Sequence, residues 1–164
     1  MKRFVIAVYV ENKYGVLARV TGMFMRKGFN IDSLTVGATE NPEYSRITIT
    51  LNGDDYAREQ LINQLKKLFN VKIVKLLETE TTVERELLLI KVKNTTENRD
   101  EIINTADKCS AKIIDNTTDT ICVEVTGEPI TIDAFIQKMK PLGIVEMCRT
   151  GVVALESSRN IMDK

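Results

Sequence analysis

At 164 residues the chain has room for one ordinary domain or two small ones. Its 43% hydrophobic and 28% charged residues can fill a core and keep the surface hydrated, and 23 Lys+Arg against 23 Asp+Glu leave no positive excess for nucleic acid. Histidine is absent, which removes Ser/His and Cys/His nucleophiles, His general bases and His-ligated zinc, and no apolar run of about eighteen residues marks a membrane span.

Met1-Lys2-Arg3 runs straight into a strand, without the apolar stretch and small-residue cleavage site of a signal peptide, so the expected location is cytoplasmic. Phe4 to Val10 is nearly unbroken in apolar character, as a central strand covered on both faces requires. Asn12 to Gly15 form a turn. Val16, Val20, Met23, Phe24 and Lys27 then follow helical spacing, with Arg26 and Lys27 at the negative end of the helix dipole and Gly28 as the left-handed stop. Ile31 to Ala38 reads as a second strand. Arg46 to Leu51 alternates strictly, predicting a third strand with one buried face and one threonine face. Asn52 to Asp55 turn and cap a helix that carries Leu61, Ile62, Leu65, Leu68 and Phe69, and Val71 to Leu77 closes the unit.

After a polar stretch the pattern repeats. Glu86 to Val92 predicts a strand, and Asn98 to Cys109 a helix with Ile102, Ile103, Ala106 and Cys109 inward. Ala111 to Asp115 and Thr120 to Val125 form a strand pair, Thr131 to Lys140 a helix, and Gly143 to Cys148 a last strand, extended by Gly151 to Leu155. The fold class is therefore α+β, with two ferredoxin-like βαββαβ domains. The expected boundaries are 1–78 for the first domain, 79–85 for a linker, 86–156 for the second domain and 157–164 for a frayed tail. Halves of about eighty residues have marginal cores, so pairing with each other or with a second chain is expected. Cys109, Cys122 and Cys148 read as small buried residues in a reducing compartment, and no ligand spacing suggests a metal.

Chemistry concentrates at the loop between the first strand and first helix. Asn12 offers amide donors and an acceptor, Gly15 allows close approach to the backbone, and the free amides of the helix starting at Val16 favour an anion such as a carboxylate. Equally, Asn12 could simply cap the helix. The second observation concerns Asn30 to Gly37, an edge strand without the Lys or Pro that protects edges. Pairing of this edge with a second copy would bring Asn30 and Ile31 of one chain toward the Asn12–Gly15 loop of the other, where a small zwitterion could be held. The equivalent loop of the second half, Asn94 to Asn98, has no glycine and carries Glu97, which would repel a carboxylate.

Glu11 to Val20 resembles the opening of an ACT domain, an amino-acid-binding module of metabolic regulators. Gly28 to Gly37, Ser45 to Ile49, Val83 to Leu87 and Arg149 to Leu155 are similar to the small, regulatory subunit of acetolactate synthase. The resemblance implies an N-terminal ACT domain that dimerises and a C-terminal ACT-like domain. It further implies a non-enzymatic role: raising the activity of a catalytic large subunit and conferring feedback inhibition by valine or another branched-chain amino acid. Thiamine diphosphate, Mg and FAD would belong to that partner, with no cofactor in this chain. Carried onto the sequence, Asn12, Gly15, Val16 and Leu17 of one chain would meet Asn30 and Ile31 of another around the effector. Ala18 stands where some relatives have a small hydroxyl residue, which bears on the strength of feedback.

An alternative is a free-standing ACT-domain sensor acting on a different enzyme. An RNA-binding reading needs aromatics on the central strands, and Arg46 to Leu51 has none. A carboxylate enzyme using Glu84, Glu86, Asp100 or Glu101 competes with the simpler reading of these as solvated charges.

Overall fold

The computed structural model describes residues 2–157; the expected tail lies outside the described residues except for Ser157. The chain forms β1 (Lys2–Glu11), α1 (Val16–Lys27), β2 (Ser33–Ala38), β3 (Tyr44–Gly53), α2 (Asp55–Lys66), β4 (Val71–Leu77), a 3-10 turn (Thr79–Thr81), β5 (Thr82–Lys93), α3 (Arg99–Lys108), β6 (Lys112–Asn116), β7 (Thr120–Gly127), α4 (Pro129–Gly143), β8 (Ile144–Arg149) and β9 (Val153–Glu156). The antiparallel sheets run β2-β3-β1-β4 and β6-β7-β5-β8, so the βαββαβ unit occurs twice, as expected.

Two compact units result among the described residues, 2–83 with 152–157, and 84–151. In the first, Phe4, Ile6, Val8 and Val10 of β1 and Ile47, Ile49 and Leu51 of β3 pack against Val20 and Phe24 of α1 and Leu61 and Leu65 of α2. Gly28 ends α1 at φ 70°, and its amide donates to Met25 O, a left-handed stop that only glycine makes without steric cost. Asp54 caps α2 by accepting from Ala57 N at 2.7 Å. In the second unit, Leu88, Ile90 and Val92 of β5 and Ile121, Val123 and Val125 of β7 pack against Ile102 and Ala106 of α3 and Ile132, Phe135 and Met139 of α4.

The polar stretch 79–85 forms a short helical turn followed by the start of β5, and the division between the two units falls within it. The segment after Gly151 forms β9, which pairs with β5, while Val152 and Ala154 are buried with Val5, Ala7 and Leu77 on the helix-free face of the first sheet. Arg46 Nη2 donates to Ala154 O at 2.8 Å, Lys75 Nζ meets Glu156 Oε2 at 2.5 Å, and Ser157 N donates to Thr81 O at 2.7 Å. The threonine face of β3 is buried as well, Thr48 and Thr50 being only 4% and 2% exposed. Glu86, read as a solvated charge, is also buried; its carboxylate accepts from Arg149, whose other nitrogen reaches Asp133 at 2.7 Å. Cys148, by contrast, is exposed, and Cys109 and Cys122 are half-buried.

An ionised side chain placed in the Val152–Glu156 segment should loosen the first unit selectively, because a buried unpaired charge is costly. Val152→Asp should lower stability by at least about 2 kcal/mol. Hydrogen exchange should locate the lost protection in β1, β4 and β9, with β7 keeping its protection; loss centred on β7 would contradict the grouping.

Candidate functional site

The β1–α1 loop rests on the β2–β3 turn. Asn12 N donates to Glu43 O at 2.7 Å and its Nδ2 to Pro42 O at 3.0 Å. The side chain is thereby engaged away from the helix, and α1 has no side-chain cap at all. Its N-cap is Gly15, at φ 76°, and its first turn holds no acidic residue. The simpler capping role for Asn12 is therefore excluded; Val16 N donates to Lys13 O at 3.3 Å, and the amides that follow it in the first turn keep the partial positive charge of a helix N-terminus without a side-chain cap.

A β-carbon at Gly15 would meet nothing within 4 Å, so space for a side chain exists, but the left-handed φ disfavours one. Among the other predicted residues, Val16 is buried in the core and Leu17 is 41% exposed beside the open terminus. Asn30 is exposed, and Ile31 is half-buried against the first core.

Within a single chain these residues do not converge. The 12-residue α1 separates the two groups by roughly 18 Å. The sheet register agrees: Ser33, just beyond Asn30 and Ile31, is level with Thr50 and Val5, whereas Val10, just before the loop, is level with Ser45 and Ala38. β2 is the outer strand of the sheet, and Val36, Gly37 and Ala38 are exposed along it.

Sequence reasoning missed the groups that brace the loop. Glu11, the last residue of β1, accepts from Lys72 Nζ at 2.9 Å, Asn70 Nδ2 at 2.7 Å and Lys13 Nζ at 3.2 Å. The buried Asn70 accepts in turn from Arg19 of α1 at 2.6 Å, and its backbone O accepts from Glu11 N at 2.9 Å. One network thus ties the end of β1, the loop, the second turn of α1 and the start of β4. Only one signal was available: a lone Asn between Phe69 and Val71, where an apolar residue would have been ordinary.

Hydrogen bonds from Lys72, then Asn70 and Lys13, hold the Glu11 carboxyl at a pKa of about 2, below its ordinary 4.5. A depressed carboxylate pKa adds stability that is whole above the unfolded value and disappears as pH falls through the folded one.

At the other end of the first sheet lies a cavity of about 720 Å³, lined by Arg3, Asp54, Asp55, Arg58, Glu78 and Glu156 among others. Several of its charges are already used: Asp54 caps α2, Arg58 pairs with Asp55 at 3.0 Å, and Glu156 pairs with Lys75. Among the described residues no three His, Cys, Asp or Glu side chains gather as a metal site requires, and no helix is long and apolar enough to cross a membrane.

The brace predicts a specific pH signature. Denaturant unfolding of the native protein and of Glu11→Gln should differ most above pH 4.5, and the difference should shrink as pH falls from 4.5 toward 2. A difference independent of pH across that window would show that Glu11 is not held as an ionised, bonded carboxylate.

Residues 6–74 match the family model of the AHAS small subunit-like ACT domain, and residues 85–158 that of the small subunit of acetolactate synthase. The chain is 51% identical over 151 residues to the probable acetolactate synthase small subunit of Archaeoglobus fulgidus, covering 92% of this chain and 94% of that protein. It is 43% identical over 150 residues to the acetolactate synthase small subunit of Mycolicibacterium smegmatis, covering 92% and 88%. The crystal structure of the acetolactate synthase small subunit from Thermotoga maritima aligns over 98% of this chain and 100% of its own, at 37% identity and a TM-score of 0.90. Two family models that together span most of the sequence, and relatives alike over nearly its whole length, lead to one conclusion: the chain belongs to the acetolactate synthase small-subunit family.

Proposed function

We propose that this chain is a non-catalytic, cytoplasmic regulatory subunit that binds the catalytic large subunit of acetolactate synthase, raises its activity, and makes it subject to feedback inhibition by valine or another branched-chain amino acid. In this reading the thiamine diphosphate, Mg and FAD of the complex belong to the large subunit. What carries the effector assignment is the uncapped N-terminus of α1 at Gly15, in a chain of this family whose outer strand β2 lacks the usual edge protection.

The effector carboxylate would sit at the leading amides of α1, where the helix dipole and unpaired N–H groups favour an anion. Antiparallel pairing of β2 with β2 of a second copy would set the start of one strand against the end of the other. Asn30 and Ile31 of one chain would then lie level with the Asn12–Gly15 loop of its partner. The ammonium would be taken by asparagine side-chain or backbone carbonyl oxygens, and the aliphatic group by Val16, Leu17 and Ile31. The difference of one methylene between valine and its homologues is worth only about 1–3 kcal/mol in such a pocket, so a ranked rather than absolute preference is expected.

Feedback then follows from linkage: the effector favours whichever arrangement of the paired domains it binds more tightly, and that arrangement activates the large subunit less.

Acetolactate formation by the cognate large subunit, alone and with this protein, across a valine titration, tests both roles. Activation that declines with valine, or with leucine or isoleucine, is expected. Gly15→Asp should remove the inhibition and keep the activation, whereas Gly15→Asn, which tolerates the left-handed φ without adding charge, should lose less than Gly15→Asp. Full inhibition of the Gly15→Asp protein would sink the site, and no activation by the native protein would sink the partner.

A further inference from the structure

The groups that brace the β1–α1 loop also form a surface that the effector site does not use. Phe69 is 82% exposed and Tyr14 is fully exposed, unusual positions for large aromatic side chains. They stand on neighbouring loops, because Glu11 N donates to Asn70 O between them. Lys72 Nζ lies 5.9 Å from the Phe69 ring centroid and 2.9 Å from Glu11, and Lys13 reaches the same carboxylate from the Tyr14 side. Lys66 and Lys67, at the end of α2 just before Phe69, are exposed as well. Lys13 and Lys72 share the single Glu11 carboxylate, so with Lys66 and Lys67 cations outnumber it beside the two aromatic rings, on a chain whose charges balance 23 to 23.

The position matters as much as the chemistry. In the order β2-β3-β1-β4, Phe69 and Lys72 flank the start of β4, the edge opposite β2. A second copy paired along β2 would leave Phe69, Lys66, Lys67 and Lys72 on this opposite side uncovered. Exposed aromatic anchors ringed by one sign of charge are what a protein partner with an apolar pocket and an acidic rim recognises.

We infer that the Tyr14–Phe69 surface, with Lys13, Lys66, Lys67 and Lys72 around it, docks on an acidic-rimmed apolar pocket of the large subunit; this rests on the regulatory reading above. The β1–α1 loop is then shared, with the effector at its α1 side and the large subunit at its β4 side. The Glu11–Asn70–Arg19 network joins the two sides, so an effector that shifts the loop shifts the docking surface with it.

The test measures binding of the purified cognate large subunit by the native protein, Phe69→Ser and the charge-reversed pair Lys66→Glu with Lys67→Glu, beside valine binding by each small-subunit variant alone. Both alterations are at exposed positions, and circular dichroism and thermal unfolding verify that the fold persists. Phe69→Ser is expected to weaken large-subunit binding about tenfold or more. The charge-reversed pair is expected to weaken it and to flatten its dependence on salt. Valine binding by both should match the native protein. Native-like affinity of both variants for the large subunit overturns the docking surface. So does weaker valine binding with unchanged large-subunit binding, which would make the lysines a steering field for the effector carboxylate. Failure of the native protein to bind the large subunit overturns the regulatory reading itself, which keeps the two failures distinct.

Discussion

A helix that begins without a capping side chain leaves its first amides to be satisfied by water or by a ligand. α1 begins that way because Gly15 turns the chain through the left-handed region and Asn12 is committed to the β2–β3 turn. The functional reading depends on that open terminus being held still. Rigidity comes from Glu11, whose carboxylate gathers Lys13, Lys72 and Asn70 while Asn70 holds Arg19. In the proposed reading, a loop fixed by polar bonds at its base would be preorganised for an anion, and preorganisation lowers the ordering cost of binding a small ligand.

The second constraint is the single-chain geometry. One unit supplies the carboxylate end at the top of β1 and the remaining candidates at the far end of α1, so one copy holds half of each proposed site. Two copies related by a two-fold axis through paired β2 edges would complete two sites at once. In that arrangement the ligand would be part of the seam and would favour one relation of the two domains. Val152 and Ala154 cover Val5, Ala7 and Leu77 on the helix-free face.

The repeated βαββαβ pattern, the helix stop at Gly28, the Asp54 cap and the unprotected β2 edge were all legible in the sequence, because each is a local signal of period or of turn chemistry. The missing parts depend on residues far apart in the chain. Alternation in Arg46–Leu51 set one apolar face against one threonine face, but nothing local shows that Thr48 and Thr50 are buried too. Glu86 looked like a surface charge because Arg149, its partner, comes from the other end of the second unit. The Glu11–Asn70–Arg19 brace likewise joins three elements, and no spacing rule connects a strand end, a helix turn and a lone asparagine. For the site itself, the sequence indicated residue types and the open loop, while the absence of a side-chain cap on α1 required coordinates.

The claim at the centre of this account is that each effector site is shared between two copies, and subunit mixing tests it most directly. Gly15→Asp damages the loop half of the site and Asn30→Asp the opposite half, so neither homodimer should bind valine. In a mixed dimer both defects fall on one site and leave the other intact. Calorimetry on the purified mixed dimer should recover valine binding at one site per dimer. Continued absence of binding in the mixed dimer would contradict a shared site and place both halves within one chain or elsewhere.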